Sequence, residues 1–360
     1  MLERLKKFYE EHEPACTVGL FAAGFLFDIL AVGRIDRLHN IIHQAFYLSL
    51  CAFFTGLELS QAHGRFTPPP RLSTAWRYHV GATHFMLGTL LNIYTLFYFK
   101  SASLGTSLLF LLALLGLLAV NELKPFKDSG PLLRMTLFSL CLLSYFTYLV
   151  PMLMGRIGAL PFLGSIAGAS VCVAGLTYWL YRRLPESRPA VRAHTVYPFA
   201  AVAAAFTVLY FAKVIPPVPL SLSETGIYHG VTRRGGSFEL QSARPRRKFW
   251  QQGDQVFLAR PGDAVFCWIV VFSPTSFSER LAVRWRQRTA EGWGEADTIP
   301  LDITGGRDGG WRGFTYKKNY TPGRWRVEIV TSDGRELGRI GLTIVPDAST
   351  APREFRRILR

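Results

Sequence analysis

Several ionisable side chains lie inside or beside long apolar runs in the first 220 residues, and six of them are candidate site residues. Because a charge in hydrocarbon is costly, such groups are by default candidates for a functional site. The predicted intramembrane polar site consists of Asp28, His39, His43, Glu58, His84 and Glu122. Glu58, His84 and Glu122 lie at the cytoplasmic ends of predicted spans. There they either form a proton or ligand site or cap helices and extend to water.

Two histidines in this set have a spacing that suits a metal. His39 and His43 are four residues apart and would share one helix face. The carboxylate that could complete the site, Asp28, lies on another run, and the alternative is an interfacial histidine pair in water. Asp28 is predicted to pair with a cation such as Arg34, or with Asn92. We therefore assign no metal-binding residue.

A second candidate site is a row of arginines in the C-terminal part. Arg284, Arg286 and Arg288 alternate with apolar residues, so they would share one face of a strand. Arg324 and Arg326 have the same spacing and are expected on a neighbouring strand. This face would contact anionic lipid headgroups, lipopolysaccharide phosphates or an acidic partner. The alternative is a solvated face that discourages edge pairing.

Motifs of the common enzyme classes are missing from the sequence. We find no nucleophile elbow, metalloprotease, kinase or Walker pattern. The glycine pairs at 305–306 and 309–310 read as turns, since no strand–helix context surrounds them. No two of the five cysteines have metal-ligand or redox spacing. These observations favour a protein without catalytic activity and without a cofactor.

The composition differs between the two parts of the chain. The whole sequence is 49% hydrophobic and only 18% charged, whereas a globular protein has about 25% charged residues. Residues 221–360 hold 23 of the 41 basic and 15 of the 25 acidic residues. The first 220 residues therefore read as a membrane domain, which excludes a wholly soluble enzyme, a disordered protein and a disulfide-rich module.

Seven apolar runs are long enough to cross about 30 Å of hydrocarbon. They are Ala15–Gly33, Ile41–Leu59, Gly81–Phe99, Leu104–Val120, Met135–Met154, Phe162–Tyr181 and Phe199–Ile215. The alternate loops hold 13 Lys and Arg residues on one side and 4 on the other. Because basic loops stay in the cytoplasm, the N-terminus is predicted inside and the C-terminal domain outside.

The C-terminal part has the pattern of short strands. The run 281–288 alternates between apolar and arginine residues, and Asp333-Gly334 joins two alternating runs in a strong hairpin signal. Seven or eight strands without a helical period predict an antiparallel, immunoglobulin-like β-sandwich. The fold class is therefore a polytopic α-helical membrane domain followed by an all-β sandwich.

Five segments follow from this pattern. They are an interfacial N-terminal helix at 1–14, a seven-span membrane domain at 15–215, a proline-rich linker at 216–222, a β-sandwich at 223–346 and a basic tail at 347–360. In the tail, Phe355, Ile358 and Leu359 share a helical face between arginines. This spacing predicts a short amphipathic helix on anionic headgroups.

The order of motifs in the β part resembles a known family. Phe266-Cys267-Trp268, Arg284-Trp285, Gly309-Gly310-Trp311, Pro322-Gly323-Arg324-Trp325 and Asp333-Gly334 follow one another in its sequence order. The family is a bacterial domain of unknown function catalogued as twenty-nine fourteen. The resemblance implies a bacterial inner-membrane protein with an exported β domain, and it implies no catalytic residue.

Two functions remain open from the sequence. The leading hypothesis is a multi-pass inner-membrane protein whose periplasmic β-sandwich binds, scaffolds or regulates an envelope partner or an anionic envelope component. The alternative is a transporter or a lipid- or glycan-modifying enzyme that uses Asp28, or Glu58 with His84 and Glu122. The expected partners are anionic membrane lipids and an envelope protein or glycan, and nucleic acid is not expected.

Overall fold

The chain changes from helix to strand at a cluster of prolines. The computed structural model describes residues 36–103, 107–121, 130–243, 250–274, 277–305 and 309–360. The chain divides into a helical unit that ends at Ile215 and a β unit made of Pro216–Arg360 together with the short segment Lys100–Thr106. Pro216, Pro217 and Pro219 cannot continue a helix, because proline lacks the amide hydrogen that a helical turn requires.

Seven α-helices form the described part of the helical unit. They are α1 (Leu38–Ala62), α2 (Ser73–Trp76), α3 (His79–Ser101), α4 (Leu108–Asn121), α5 (Pro131–Met154), α6 (Ala159–Arg183) and α7 (Arg188–Phe211). Pro131 begins α5 at a position where its missing amide hydrogen costs nothing. Gly155 ends α5 with a left-handed φ of 66°.

Seven membrane spans are not confirmed. Among the described residues, four helical segments are long and apolar enough to cross a membrane: His79–Ser101, Pro131–Met154, Ala159–Arg183 and Pro185–Phe211. The predicted first span, Ala15–Gly33, lies outside the described residues. The predicted second span lies within α1, which is not among the four, and α4 in the predicted fourth span has only 14 residues.

The described part of the β unit contains eleven strands in three sheets. The strands are β1 (Ser221–Tyr228), β2 (Gly230–Arg234), β3 (Ser237–Ser242), β4 (Val256–Ala259), β5 (Val265–Phe272), β6 (Ser278–Thr289), β7 (Gly292–Thr304), β8 (Trp311–Lys317), β9 (Gly323–Thr331), β10 (Glu336–Pro346) and β11 (Arg356–Leu359). The sheet orders are β1-β5-β8, β4-β10-β9-β6-β7 and β11-β3-β2. A helical region followed by mainly antiparallel sheets is therefore the observed architecture.

Alternation along β6 and β9 builds the core of the five-stranded sheet. Leu281, Val283 and Trp285 of β6 are fully buried, and so are Val327 and Ile329 of β9. The intervening arginines point to the other face, since successive strand residues alternate between faces. The predicted core face of residues 281–288 is confirmed.

Strand pairing in the same sheet confirms one expectation and corrects another. β9 and β10 form an antiparallel pair, and Gly334 in the turn between them has a φ of 80°. The predicted Asp333-Gly334 hairpin is therefore confirmed. β4, however, pairs in parallel with β10, so the β unit is not wholly antiparallel. Five strands separate the two along the chain, so no hairpin constrains their relative direction.

The β11-β3-β2 sheet packs against the β1-β5-β8 sheet. Phe238 and Leu240 of β3 pack with Trp268 and Val270 of β5 in one buried cluster. The Phe238 and Trp268 rings lie 4.8 Å apart, centroid to centroid. Cys267, Ile269 and Val271, which alternate with Trp268 and Val270 along β5, are also buried, so both faces of this strand are covered.

The predicted helix in the C-terminal tail is wrong. Residues Arg356–Leu359 form β11, which pairs antiparallel with β3, and Ile358 packs against the cluster around Trp268. A helix of eight residues is marginal in water. The free edge of β3 instead offers hydrogen bonds to the backbone and an apolar surface to Ile358.

The arginines of the tail pair with carboxylates of the β unit. Arg357 Nε lies 3.2 Å from Glu239 Oε1, and Arg360 Nε lies 2.8 Å from Glu224 Oε1. Arg353 makes two hydrogen bonds of 2.7 Å to the carboxylate of Asp263. Burial acts to raise the pKa of Asp263, but the hydrogen bonds and charge of Arg353 bring that pKa below its ordinary value. The tail is thus tied to the β unit by ion pairs.

Candidate functional site

The five predicted contact arginines lie together on the outer face of β6 and β9. These strands are neighbours, and Arg286 lies directly opposite Arg326 in their register. Arg284 lies opposite Glu328. Arg288 and Arg324 extend the row on the same face, because they are two residues from Arg286 and Arg326. We call Arg284, Arg286, Arg288, Arg324 and Arg326 the arginine face.

Glu328 neutralises part of this charge. Its carboxylate is buried, with 7% of the side chain exposed, and pairs with the guanidinium group of Arg326. Arg286 Nη1 lies 3.6 Å from Glu328 Oε1. Sequence reasoning missed this carboxylate, although the alternation of residues 324–328 places it on the arginine side of the strand.

Trp293 is a further element of the face that sequence reasoning missed. The ring lies 4.6 Å from the guanidinium carbon of Arg326 and 5.7 Å from that of Arg288. Arg286 Nη2 also donates a 2.7 Å hydrogen bond to the Trp293 carbonyl oxygen. Cation–π contact with an aromatic ring restrains these guanidinium groups. The short turn after Thr289, which returns β7 alongside β6, is the sequence signal that could have placed Trp293 here.

Much of the hydrogen-bonding capacity of the face is unused. Among the described residues, no carboxylate oxygen lies within 4.0 Å of a guanidinium nitrogen of Arg284, Arg288 or Arg324. In the part of the β unit that the structure describes, the buried Nε atoms of Arg284, Arg286 and Arg326 also have no hydrogen-bond acceptor. Adjacent strands are about 4.8 Å apart. The face therefore offers closely spaced cationic donors to a surface with several anionic groups.

The predicted intramembrane polar site is only partly within the described residues. Asp28 and Glu122 lie outside them. His39 and His43 do share a face of α1, with ring centroids 6.2 Å apart. In the described part of the chain, no three His, Cys, Asp or Glu side chains are grouped as metal ligands. His84 is buried on α3.

Glu58 has a partner that sequence reasoning did not identify. Arg134 Nε of α5 donates a 3.1 Å hydrogen bond to Glu58 Oε2 of α1, and a second contact joins Arg134 Nη2 to Glu58 Oε1. The Arg134 side chain is 4% exposed and that of Glu58 is 18% exposed. This bidentate ion pair crosslinks two helices, which gives Glu58 a structural role.

A second buried polar cluster lies in the β unit. Asp254 accepts hydrogen bonds from His229 Nδ1 at 2.7 Å, from Ser242 Oγ at 2.8 Å and from the Ala243 amide at 3.1 Å. The His229 ring stacks on Phe257 at 4.0 Å. Ser242 bonds to the carboxylate and not to the imidazole, so the three side chains do not form a nucleophilic triad.

The cysteines in the described residues are not arranged for chemistry. Cys51, Cys141 and Cys267 are buried, whereas Cys172 is exposed on α6. Burial raises the pKa of the Cys267 thiol to about 12, despite a hydrogen bond with Thr225 that lowers it. A thiol with this pKa stays protonated and unreactive at neutral pH.

Comparison with known proteins supports the family resemblance. Residues 278–344 match the family described as "Protein of unknown function (DUF2914)", which confirms it for this part of the chain. The matched residues run from β6 into β10 and include the whole arginine face. No curated protein matches the chain.

Two solved structures are similar to the chain at low scores. An immunoglobulin-like protein from Pseudomonas aeruginosa aligns over 36% of this chain and 98% of its own, at 13% identity and a TM-score of 0.23. An alkylpurine DNA glycosylase from Pseudomonas fluorescens, bound to DNA with an abasic site analogue, aligns over 87% and 99%, at 12% identity and a TM-score of 0.18. Both scores are too low to bear on function.

Proposed function

We propose that the chain is an integral protein of the bacterial inner membrane whose immunoglobulin-like β unit lies in the periplasm and binds an anionic envelope component. The arginine face supports this function most directly, because its unused cationic donors lie side by side on one sheet. Phosphate-bearing lipid headgroups present anionic groups at a surface, and each arginine near such a surface contributes about 1 kcal/mol.

The helical unit supports the membrane placement. Leu153, Val171 and Val208 are each more than two-thirds exposed, and each lies on a helical segment long and apolar enough to cross a membrane. Side chains of this kind are costly in water and favourable in a lipid environment. The transporter or enzyme alternative is weaker, because Glu58 forms an ion pair with Arg134.

Accessibility of two introduced cysteines tests the orientation. Ser332→Cys in the turn between β9 and β10 should react with a membrane-impermeant maleimide in intact spheroplasts. Glu186→Cys, whose native side chain is 85% exposed in the loop before α7, should react only after permeabilisation. The chain without either substitution measures the background labelling of native cysteines such as the exposed Cys172. Labelling of Glu186→Cys alone in intact spheroplasts would show the opposite orientation.

Binding to anionic vesicles tests the arginine face. In neutral phosphatidylcholine nanodiscs, the full chain should bind phosphatidylglycerol vesicles in low salt. The triple variant Arg284→Gln, Arg288→Gln and Arg324→Gln should bind roughly a hundredfold more weakly, since it lacks three contacts of about 1 kcal/mol each. Vesicle flotation at graded salt concentrations measures this change.

A matched control removes the same charge elsewhere. Arg234, Arg280 and Arg357 are also exposed, but each pairs with a carboxylate. Their triple replacement by glutamine should leave vesicle binding within about threefold of the original. Equal loss in both triple variants would mean that net charge alone drives binding, and the arginine face would then have no special role.

A further inference from the structure

We propose that a cleft between the β2–β3 hairpin and the start of β8 binds a phosphomonoester, such as the phosphate group of a phosphorylated sugar. The cleft has a volume of about 430 Å³ and is lined by Arg233, Gly236, Phe238, Gly309, Gly310 and Arg312, together with Trp311. This volume lies in the usual range of small-molecule sites. The cleft and the arginine face share no residue.

Two arginines from different sheets converge on this cleft. Arg233 comes from β2 and Arg312 from β8. Among the described residues, neither forms an ion pair with a carboxylate, whereas the neighbouring Arg234 pairs with Glu239 at 3.6 Å. Guanidinium groups bind phosphate oxygens in bidentate geometry. Two of them in one cleft match the double negative charge of a phosphomonoester.

Each guanidinium group lies close to one wall of the cleft. The guanidinium carbon of Arg233 lies 5.9 Å from the centre of the Phe238 ring, which is itself buried. Arg312 lies against Gly309, where an added Cβ would come within 2.6 Å of Arg312 Nη2. Any other residue at position 309 would therefore displace this guanidinium group.

Glycine backbone forms one wall of the cleft. Gly310 has a φ of 75°, and a Cβ there would lie 2.9 Å from the Val271 carbonyl oxygen. The absence of side chains at positions 309 and 310 lets a ligand approach the main chain closely. The Phe238 ring adds an apolar surface beside Arg233. The cleft thus combines two cations, exposed backbone and one aromatic edge, which suits a sugar ring that carries a phosphate.

Calorimetric titration of the full chain in neutral nanodiscs tests this site. Glucose 6-phosphate should bind saturably in low salt, and glucose should not. Arg233→Gln and Arg312→Gln should each weaken binding about tenfold or more, because each removes a charge-assisted hydrogen bond. Arg234→Gln, in the same hairpin but paired with Glu239, is the matched control and should bind as the original chain does.

Further arms distinguish the source of the phosphate and separate this site from the arginine face. Binding of phosphatidic acid vesicles that depends on Arg233 and Arg312 would identify a lipid phosphate, and binding of glucose 6-phosphate alone would identify a soluble one. The arginine-face triple variant should retain glucose 6-phosphate binding. The proposal is overturned if neither inorganic phosphate, glucose 6-phosphate nor phosphatidic acid binds saturably, or if both cleft variants bind like the original chain.

Discussion

Replacing Asp254 by alanine should destabilise the β unit by about 3–5 kcal/mol. The carboxylate is 1% exposed and accepts hydrogen bonds from His229, Ser242 and the Ala243 amide. Alanine would leave these donors without this acceptor, and an unsatisfied buried donor costs about 1–3 kcal/mol. Because the cluster joins His229 to Phe257 and Phe355, the C-terminal strand should also loosen.

Denaturant unfolding followed by tryptophan fluorescence measures this effect. Trp268 and Trp285 are fully buried, so their emission should change when the β unit unfolds. Asp302→Ala is the matched control, because Asp302 is 73% exposed and pairs with Arg280 on the surface. The control should cost less than about 1 kcal/mol. An equally small effect of Asp254→Ala would show that the cluster does not hold the β unit together.

The arginine face could be predicted because its geometry depends on local alternation. Arg284 and Arg286 lie two residues apart, and strand geometry alone places them on one face. Their buried neighbours Val283 and Trp285 followed from the same pattern. Alternation places Glu328 on this face of β9, but its contact with Arg286, and the contact of Trp293 with Arg326, depend on which strands pair and in which register. That information is not contained in any one segment of the chain.

Contacts between residues that are distant in sequence explain the remaining differences between the predicted and the observed structure. His229 and Asp254 are separated by 25 positions and match no catalytic or metal motif. The tail was misread for a related reason. Spacing of Phe355, Ile358 and Leu359 fits a helix, but pairing with β3 supplies backbone hydrogen bonds that a short helix in water lacks. Tertiary pairing therefore outweighs local pattern in a segment of this length.

Glu58 illustrates the same limit in the helical unit. From the sequence, it is grouped with His84 and Glu122 as a proton or ligand site. The structure joins it instead to Arg134, 76 positions away, through a bidentate ion pair. In the sequence, Arg134 counts among the basic residues of a predicted cytoplasmic loop. A loop position gives no indication of a buried partner such as Glu58. The residue type marks Glu58 as a candidate site residue, but only the packing of α1 against α5 shows that it forms an ion pair.

Glu58→Leu should lower the melting temperature of the full chain in detergent or nanodiscs by on the order of 10 °C. Removing one member of a buried ion pair takes a bidentate, charge-assisted contact from the other, at a cost of about 3–5 kcal/mol. Each kcal/mol corresponds to roughly 2–4 °C for a domain of about 150–250 residues, the size range of the helical unit. Arg134 is only 4% exposed, so it cannot easily reach water in the folded helical unit. Thermal unfolding monitored by size-exclusion chromatography measures the shift.

The double variant Glu58→Leu and Arg134→Leu separates a structural role from a chemical one. Replacing both charges by apolar residues of similar volume is often neutral or stabilising. The double variant should therefore recover most of the lost melting temperature, although neither ionisable group remains. If Glu58 acted as a proton or ligand site, the double variant would be stable but lack the cellular phenotype of the original chain. If the double variant is as unstable as Glu58→Leu, the ion pair is not what holds α1 against α5, and the structural role assigned to Glu58 is wrong.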